Sequence, residues 1–455
     1  MKQFETDWLG SKPIFYNEKT GKVSENINEV IDYNNLEFDP EGFNNYLEFG
    51  YSVFEQTPIK NVKFLRYSTR LIIDDNNKIH IKYLKDPAEN WYGKTTSEID
   101  VLERLEAEIQ KWENSVKGEI IIPTSGGYDS RILNIMIKDK SRIKSFTYGI
   151  SDNQDDSFEV VYAKKISEIL NTKWKQIKLG HFHNYLDEWY QLYGVSTHAH
   201  GMYHMEFYSK ILKEVSGGNP FLSGIIGDAW AGNVNIPDIN LNTLNKLGYT
   251  HGMNADPKQS YLKSNNYLKE KYLEINKFKL KDPYWKVIES MRLKIILLSY
   301  LLRIPRYYGF NPWSPFIDIN IALSMHTIPL KRKVNRAWQS DFFKKYSLNL
   351  EELDLKVNKT NSLNYQAMLI SKLKPLNVEL LREVINPSYV DWINKNVIYI
   401  SSSKKLIRKL LNVKKLGGAL RRSGIRDTIL TAYCAYLTLK PIEQLLEKRN
   451  HFYKN

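Results

Sequence analysis

The chain of 455 residues has one cysteine, Cys434. A single thiol excludes an intrachain disulfide framework and a multi-cysteine zinc site, and makes the cytoplasm the default compartment. Long hydrophobic runs are scarce as well. The longest strongly apolar run, 295–302, is broken by Ser299 and Tyr300 and is far short of the ~20 residues a membrane-crossing helix requires. The opening residues, Met1 to Trp8, hold no apolar stretch, so no secretory leader and no integral membrane segment are expected. Neither G-x-x-x-x-G-K-[ST] nor G-x-G-x-x-G occurs, which excludes a Walker A loop and a dinucleotide fingerprint. No internal repeat or low-complexity linker is visible. The apolar share of 42% and charged share of 25% exclude a disordered chain, and the length fits two or three domains.

Acidic residues are absent from 404–426, a stretch that supplies much of the net charge of +14. Leu406, Leu410 and Val413 recur there at helical spacing, so an amphipathic basic helix is expected. It is either a solvated surface helix with one face packed, an attractor of an anionic substrate or carrier, or a contact for a membrane surface or nucleic acid. No recognised nucleic-acid module accompanies it, so no nucleic-acid partner is expected.

Residues 1–95 carry short alternating or apolar runs at 13–16, 61–67 and 70–83, with turns at 17–21 and 74–78, and read as strand-rich. A helix is expected over 97–116, with Ile99, Leu102, Leu105, Ile109 and Trp112 on one stripe. Strands and helices then alternate: a strand at 120–122, a helix over about 129–138, a strand at 143–148, a helix over 158–170 and a strand at 174–179. That order predicts βαβ units, a parallel sheet and an α/β fold. Beyond about 240 the pattern is mostly helical.

The most informative segment joins the first of those strands to its helix. Ile120, Ile121 and Ile122 run into Pro123, Thr124, Ser125, Gly126, Gly127, Tyr128, Asp129, Ser130 and Arg131. Strand, glycine turn and helix N-terminus is a phosphate-holding arrangement, with Ser125 and Ser130 as hydroxyl donors. Asp129 repels phosphate unless a divalent cation lies between them, so the segment reads as a nucleotide–Mg²⁺ loop. Arg131 either reaches phosphate or a substrate carboxylate or caps the helix face. His198, His200 and His204 form a second cluster, readable as a zinc site, as hydrogen-bond donors to an anionic substrate, or as structural histidines.

The pattern Ser-Gly-Gly-x-Asp-Ser resembles the pyrophosphate loop of the N-type ATP pyrophosphatases. Further motifs resemble asparagine synthetase-type amidoligases in particular. Residues 7–16, Asp-Trp-Leu-Gly-Ser-Lys-Pro-Ile-Phe-Tyr, are similar to the family's "D-x-x-G-x-K-P-L-Y-Y" strand pair. Phe146-Thr147-Tyr148-Gly149 with Ser157, Glu159 and Ala163 resembles "S-F-x-x-G … D-E-x-x-x-A". Residues 222–232, Leu-Ser-Gly-Ile-Ile-Gly-Asp-Ala-Trp-Ala-Gly, are similar to "L-S-G-E-G-A-D-E-x-x-G-G". Pro315-Phe316-Ile317-Asp318 resembles "P-F-L-D", and Val357-Asn358-Lys359 resembles "R-x-K".

The resemblance implies a fold and a chemistry. The fold would be an adenine nucleotide alpha hydrolase-like domain over 96–455, preceded over 1–95 by a β-rich remnant of a glutaminase domain without its cysteine nucleophile. ATP and Mg²⁺ would be the cofactors. Thr124, Ser125, Gly126, Gly127, Asp129, Ser130, Ser223 and Gly224 would hold the nucleotide, with Tyr148 and Gly149 beside adenine. Asp129 and Asp228 would hold the metal, and Lys359 would offset charge on the phosphates in the transition state. The expected reaction is amide formation through an acyl-adenylate, releasing AMP and pyrophosphate. Ammonia or an amine would come from solution or from a separate glutaminase.

Two departures bear on the substrate. Ile225 and Ala229 stand where the family has glutamates, and Asn311 and Trp313 replace its "E-x-R". Isoleucine cannot accept a proton, so free aspartate is disfavoured. A sugar uronate or polysaccharide precursor, an amino-acid derivative, or a peptide carboxylate closing a macrolactam remain as substrates, with Arg131, His198, His200 and Ile225 on the substrate side. The rival classes are a thiolase using the same loop and a nucleotide-binding scaffold without activity.

Overall fold

The computed structural model of the protein describes residues 2–232, 234–248, 254–413 and 415–452. Two small antiparallel sheets occupy the first 95 residues. One pairs β1 (Lys2–Glu5), β5 (Thr69–Ile73) and β6 (Ile79–Tyr83) in that order; the other pairs β3 (Val23–Ser24), β2 (Phe15–Asn17) and β4 (Val62–Phe64). The stretch is not strands alone. A helix, Pro40–Phe49, lies between them, capped by Asp39, whose carboxylate accepts from the Gly42 N–H at 2.7 Å. Pro40 supplies the fixed φ of a first helical turn, and Gly50 closes the helix at φ 81°.

A helix spans Glu98–Ser115 with Ser97 as its N-cap, accepting from the Asp100 N–H at 3.1 Å. Its buried stripe is Val101, Leu105 and Ile109, not a stripe beginning at Ile99, which is exposed. Val101 starts an i, i+4, i+8 row, and that row faces the core.

The main sheet is parallel and five-stranded: β7 (Ile120–Pro123), β8 (Ile143–Thr147), β9 (Lys173–Gln176), β10 (Pro220–Leu222) and β11 (Asn311–Trp313), in spatial order β11-β10-β7-β8-β9. Helices Tyr128–Met136 and Phe158–Leu170 make the first two crossovers. Ile120, Ile121 and Ile122 are fully buried, because a central parallel strand is covered on both faces. The chain runs outward from β7 to β8 and β9, then returns to lay β10 on the other side of β7. The strand order therefore reverses between β7 and β10, and in open α/β sheets ligands bind in the crevice at the strand C-termini of such a point. The edge strand β11 contains Pro312, which an edge position tolerates.

The N-terminal segment is joined to the rest by continuous packing. Phe15, Phe43 and Tyr46 share an apolar cluster with Tyr433 and Tyr436 of the helix Thr428–Phe452, and the Tyr46 hydroxyl donates to the Thr438 carbonyl at 2.9 Å. The Trp8 ring packs tilted against Trp230 with centroids 5.6 Å apart, and its indole N–H donates to the Ile317 carbonyl at 2.8 Å. Buried Arg292 ties the Asp86 carboxylate to the Trp8 carbonyl.

The basic stretch near the C-terminus forms two helices, Ser402–Asn412 and Leu416–Arg422, rather than one. Its packed face is also not the expected one. Arg408 and Leu411 are buried, whereas Leu406 and Val413 are exposed. Among the described residues no helix is long and apolar enough to cross a membrane.

Candidate functional site

The loop after β7 is braced by its own hydroxyls. The Ser130 Oγ–H donates to the Ser125 carbonyl at 3.0 Å, and Ser130 Oγ accepts from the Ser125 N–H at 3.1 Å. Ser125 Oγ accepts from the Gly127 N–H at 3.1 Å. Beneath the loop, Asn134 donates to Thr124 Oγ1 at 2.9 Å, and the Thr124 N–H donates to the Phe146 carbonyl at 2.9 Å. Gly126 is required for packing rather than for a positive φ: a Cβ there would lie 2.8 Å from both Phe158 and Tyr162. No side chain caps the helix Tyr128–Met136. The N–H groups of its first turn have no intrahelical acceptor, and such an end binds anions.

The turn after β10 lies against this loop. The Asp228 N–H donates to Asp129 Oδ2 at 2.7 Å. A Cβ on Gly227 would sit 2.8 Å from Asp129 Cγ, and one on Gly224 would sit 3.2 Å from Asp129 Cβ, so both glycines permit the approach. Between them Ile226 is left-handed at φ 57°, a strained conformation for a β-branched residue, where the resembling motif has glycine. Asp129 Oδ1 is buried and accepts no hydrogen bond. Burial, then the nearby Asp228 carboxylate, raises the Asp129 carboxyl well above the usual carboxylate range, while Arg336 opposes the shift.

An orphaned buried carboxylate oxygen beside a second, half-buried carboxylate fits a hard divalent cation. No group of three or more His, Cys, Asp or Glu able to hold a metal occurs among the described residues. A Mg²⁺ ion here would therefore take its remaining oxygens from phosphate and water.

Loop and turn open into a cavity of ≈ 880 Å³. Thr124, Ser125, Gly127, Asp129 and Ser130 line it from the β7 side, and Ser223, Gly224, Ile225 and Asp228 from the β10 side. Tyr148 lines it at the end of β8. Gly149 turns the chain beside it, where a Cβ would meet the Gln154 carbonyl at 2.3 Å. Opposite the loop, Met291, Leu298 and Leu301 make an apolar wall that continues through Ile225 and Ile226.

Several expected site residues fall elsewhere. Arg131 does not line the cavity. Its fully buried guanidinium grips Glu351 at 2.8 and 2.9 Å and donates to the Leu348 and Gly126 carbonyls at 2.8 and 2.9 Å, so it anchors the loop from behind. His198 is buried away from the cavity, with Nδ1 accepting from the His200 N–H at 3.1 Å, and His200 meets Asn364 at 3.1 Å. His204 alone of the three lines the cavity, and burial holds it neutral, its pKa lowered to about 3. Lys359 is exposed, its ammonium 5.1 Å from the Phe158 ring, and its near neighbour Asn361 lines the cavity.

Three charged residues line the cavity that motif matching had not assigned to it. Lys294 is buried, its pKa lowered to about 8 by burial while Asp228 holds it up. A lysine inside the apolar run Leu293-Lys294-Ile295-Ile296 was the signal for it. Arg336 lies 4.0 Å above the Tyr128 ring, and Glu159 has a buried Oε2 without a hydrogen-bond partner. No protein-family model matches the chain, and no curated protein matches it.

Proposed function

We propose that the protein is an ATP-dependent amide-forming ligase of the asparagine synthetase-like kind, and that its parallel sheet is that of the N-type ATP pyrophosphatases. One observation carries this most. The turns that follow β7 and β10 bring Asp129 and Asp228 together at the switch point, the Asp228 N–H on Asp129 Oδ2 and its charge near the Asp129 carboxyl, beside an uncapped helix start and with one oxygen of Asp129 buried and unpaired.

In this reading a substrate carboxylate oxygen attacks the α-phosphorus of ATP. An acyl–oxygen–phosphorus bond forms, the bond to pyrophosphate breaks, and an acyl-adenylate results. The nitrogen of ammonia or an amine then attacks the acyl carbon, loses a proton, and AMP departs. The first-turn N–H groups of Tyr128, Asp129 and Ser130 orient phosphate oxygens. Asp129 and Asp228 would hold Mg²⁺, which when bound offsets the charge of the departing pyrophosphate. Arg336 and Lys294 add positive charge around the same phosphates.

Ile225 and the wall of Met291, Leu298 and Leu301 favour an acid with an apolar flank over free aspartate. A polysaccharide-precursor acid and a peptide carboxylate stay in the test panel. The amine comes from outside the chain. Cys434 is 4% exposed in a C-terminal helix, its thiol pushed up to about 12 by burial, and is no glutaminase nucleophile. The same inertness weighs against a thiolase.

The test is exchange of labelled pyrophosphate into ATP, driven by a panel of uronic acids, amino acids, apolar acids and peptides. Oxygen-18 in the active acid should appear in AMP. Tight ATP binding without exchange for any acid would make the protein a nucleotide-binding scaffold instead.

A further inference from the structure

The helix Ser402–Asn412 is amphipathic in the wrong sense for a solvated surface helix. At 100° per residue, Lys404, Arg408 and Leu411 fall within a sector of about 60°. That sector faces the protein: Arg408 and Leu411 are buried, Arg408 pairs with Asp427, and its guanidinium lies 4.5 Å over the Tyr365 ring. Leu406, Leu410 and Ile407 fall within about 100° in the sector next to Leu411 and lead away from the buried face. Leu406 is 57% exposed and Ile407 40% exposed. Lys405 and Lys409 border that aliphatic band along one edge and are exposed.

The next helix packs on the end of this one. Gly417 has no Cβ, and one would lie 2.0 Å from the Leu411 carbonyl, so the helix Leu416–Arg422 closes tightly on the first. Arg421 donates to the same carbonyl at 2.9 Å. Val413, Leu416 and Ile425 are exposed as well, and so are Lys415, Arg422 and Arg426. No acidic residue occurs from 402 to 426. Aliphatic side chains held outward cost solvation, and a purely cationic rim repels its own members. Both are relieved by a partner that is apolar beneath and anionic on top.

We propose that segment 402–426 docks the protein on an anionic bilayer surface, with Leu406, Ile407, Val413 and Leu416 in the acyl boundary and the lysines and arginines at the headgroups. Shallow aliphatic anchors flanked by long cationic stems are the pattern of an interfacial helix. An acidic protein would satisfy the cations but leaves the outward aliphatic band without a role. The docking is independent of the ligase chemistry, because no residue of the segment lines the cavity.

The full-length protein is sedimented with vesicles of phosphatidylcholine alone or mixed with phosphatidylglycerol. Binding to the mixed vesicles that weakens with salt is the expected result. Each lysine near an anionic surface contributes about a fivefold factor, so Lys405→Gln with Lys409→Gln should weaken partitioning roughly 25-fold. Leu406→Ser with Ile407→Ser should weaken it by about tenfold or more at unchanged charge. All four side chains are exposed, and unchanged melting temperatures check that both double variants fold. Failure of the wild type to sediment with mixed vesicles overturns the proposal, as does equal binding to neutral vesicles or wild-type binding by both variants. Retention on immobilised polyglutamate without vesicle binding also overturns it, in favour of an acidic protein partner.

Discussion

Arg131 separates a structural from a substrate role most sharply, and its replacement by alanine has a calculable cost. Its guanidinium satisfies the Gly126 and Leu348 carbonyls at 2.9 and 2.8 Å. Losing a partner costs a buried acceptor about 1–3 kcal/mol. The ring contacts with Tyr128 and Phe343, at 5.0 and 4.8 Å, add about 0.5–1 kcal/mol. The ion pair with Glu351 adds little, because that carboxylate is 41% exposed and returns to water when the arginine is gone. Arg131→Ala should therefore destabilise the fold by about 2.5–7 kcal/mol, read from urea denaturation. Because Gly126 is freed, nucleotide affinity should fall in parallel, while the KM for the acid stays put. A loss of stability below about 1 kcal/mol with a selective rise in the acid's KM would refute the anchoring role and restore a substrate contact.

Gly126→Ala brings a methyl group to 2.8 Å from Phe158 and Tyr162, and should cost about 1–3 kcal/mol in denaturant melts, with part recovered by Phe158→Leu in the same chain. Ile226→Gly releases a left-handed isoleucine, so it should be milder than Ile225→Gly by about 1–3 kcal/mol; equal costs would mean no strain is held there. His183 sits between the Ser371 carbonyl at 2.6 Å and the Tyr433 hydroxyl at 2.8 Å, and burial lowers its pKa from 6.5 to about 4. The unfolded chain takes up that proton below pH 6.5 while the folded chain does so only near pH 4, so stability falls across this window as pH drops and is unaffected above it. The loss is about 3 kcal/mol, and urea melts of His183→Gln should show a correspondingly shallower acid limb.

The helix Phe158–Leu170 and the β7 loop were legible in the sequence because period, glycine punctuation and flanking elements agree locally. The helix Pro40–Phe49 carried equally local signals in Asp39, Pro40 and Gly50, but the short apolar runs around it read as strands. β11 was hidden by its three-residue length and by Pro312. The fate of Arg131 was not legible at all, since Glu351 lies 220 residues away in the chain. Lys294 and Arg336 reach the cavity from segments whose distance from Asp129 only the fold closes. Chemistry written within one turn can be read locally, whereas chemistry assembled across the sheet cannot.

Acid-dependent exchange of labelled pyrophosphate into ATP, compared between the wild type and Asp129→Asn, tests the adenylation reading most directly. The asparagine keeps an oxygen for the Asp228 N–H and removes a buried charge, so the variant should fold at least as stably as the wild type. Exchange should fall by about 10²-fold or more. Exchange at the wild-type rate in that variant would contradict the assignment of the two carboxylates and the adenylation built on it.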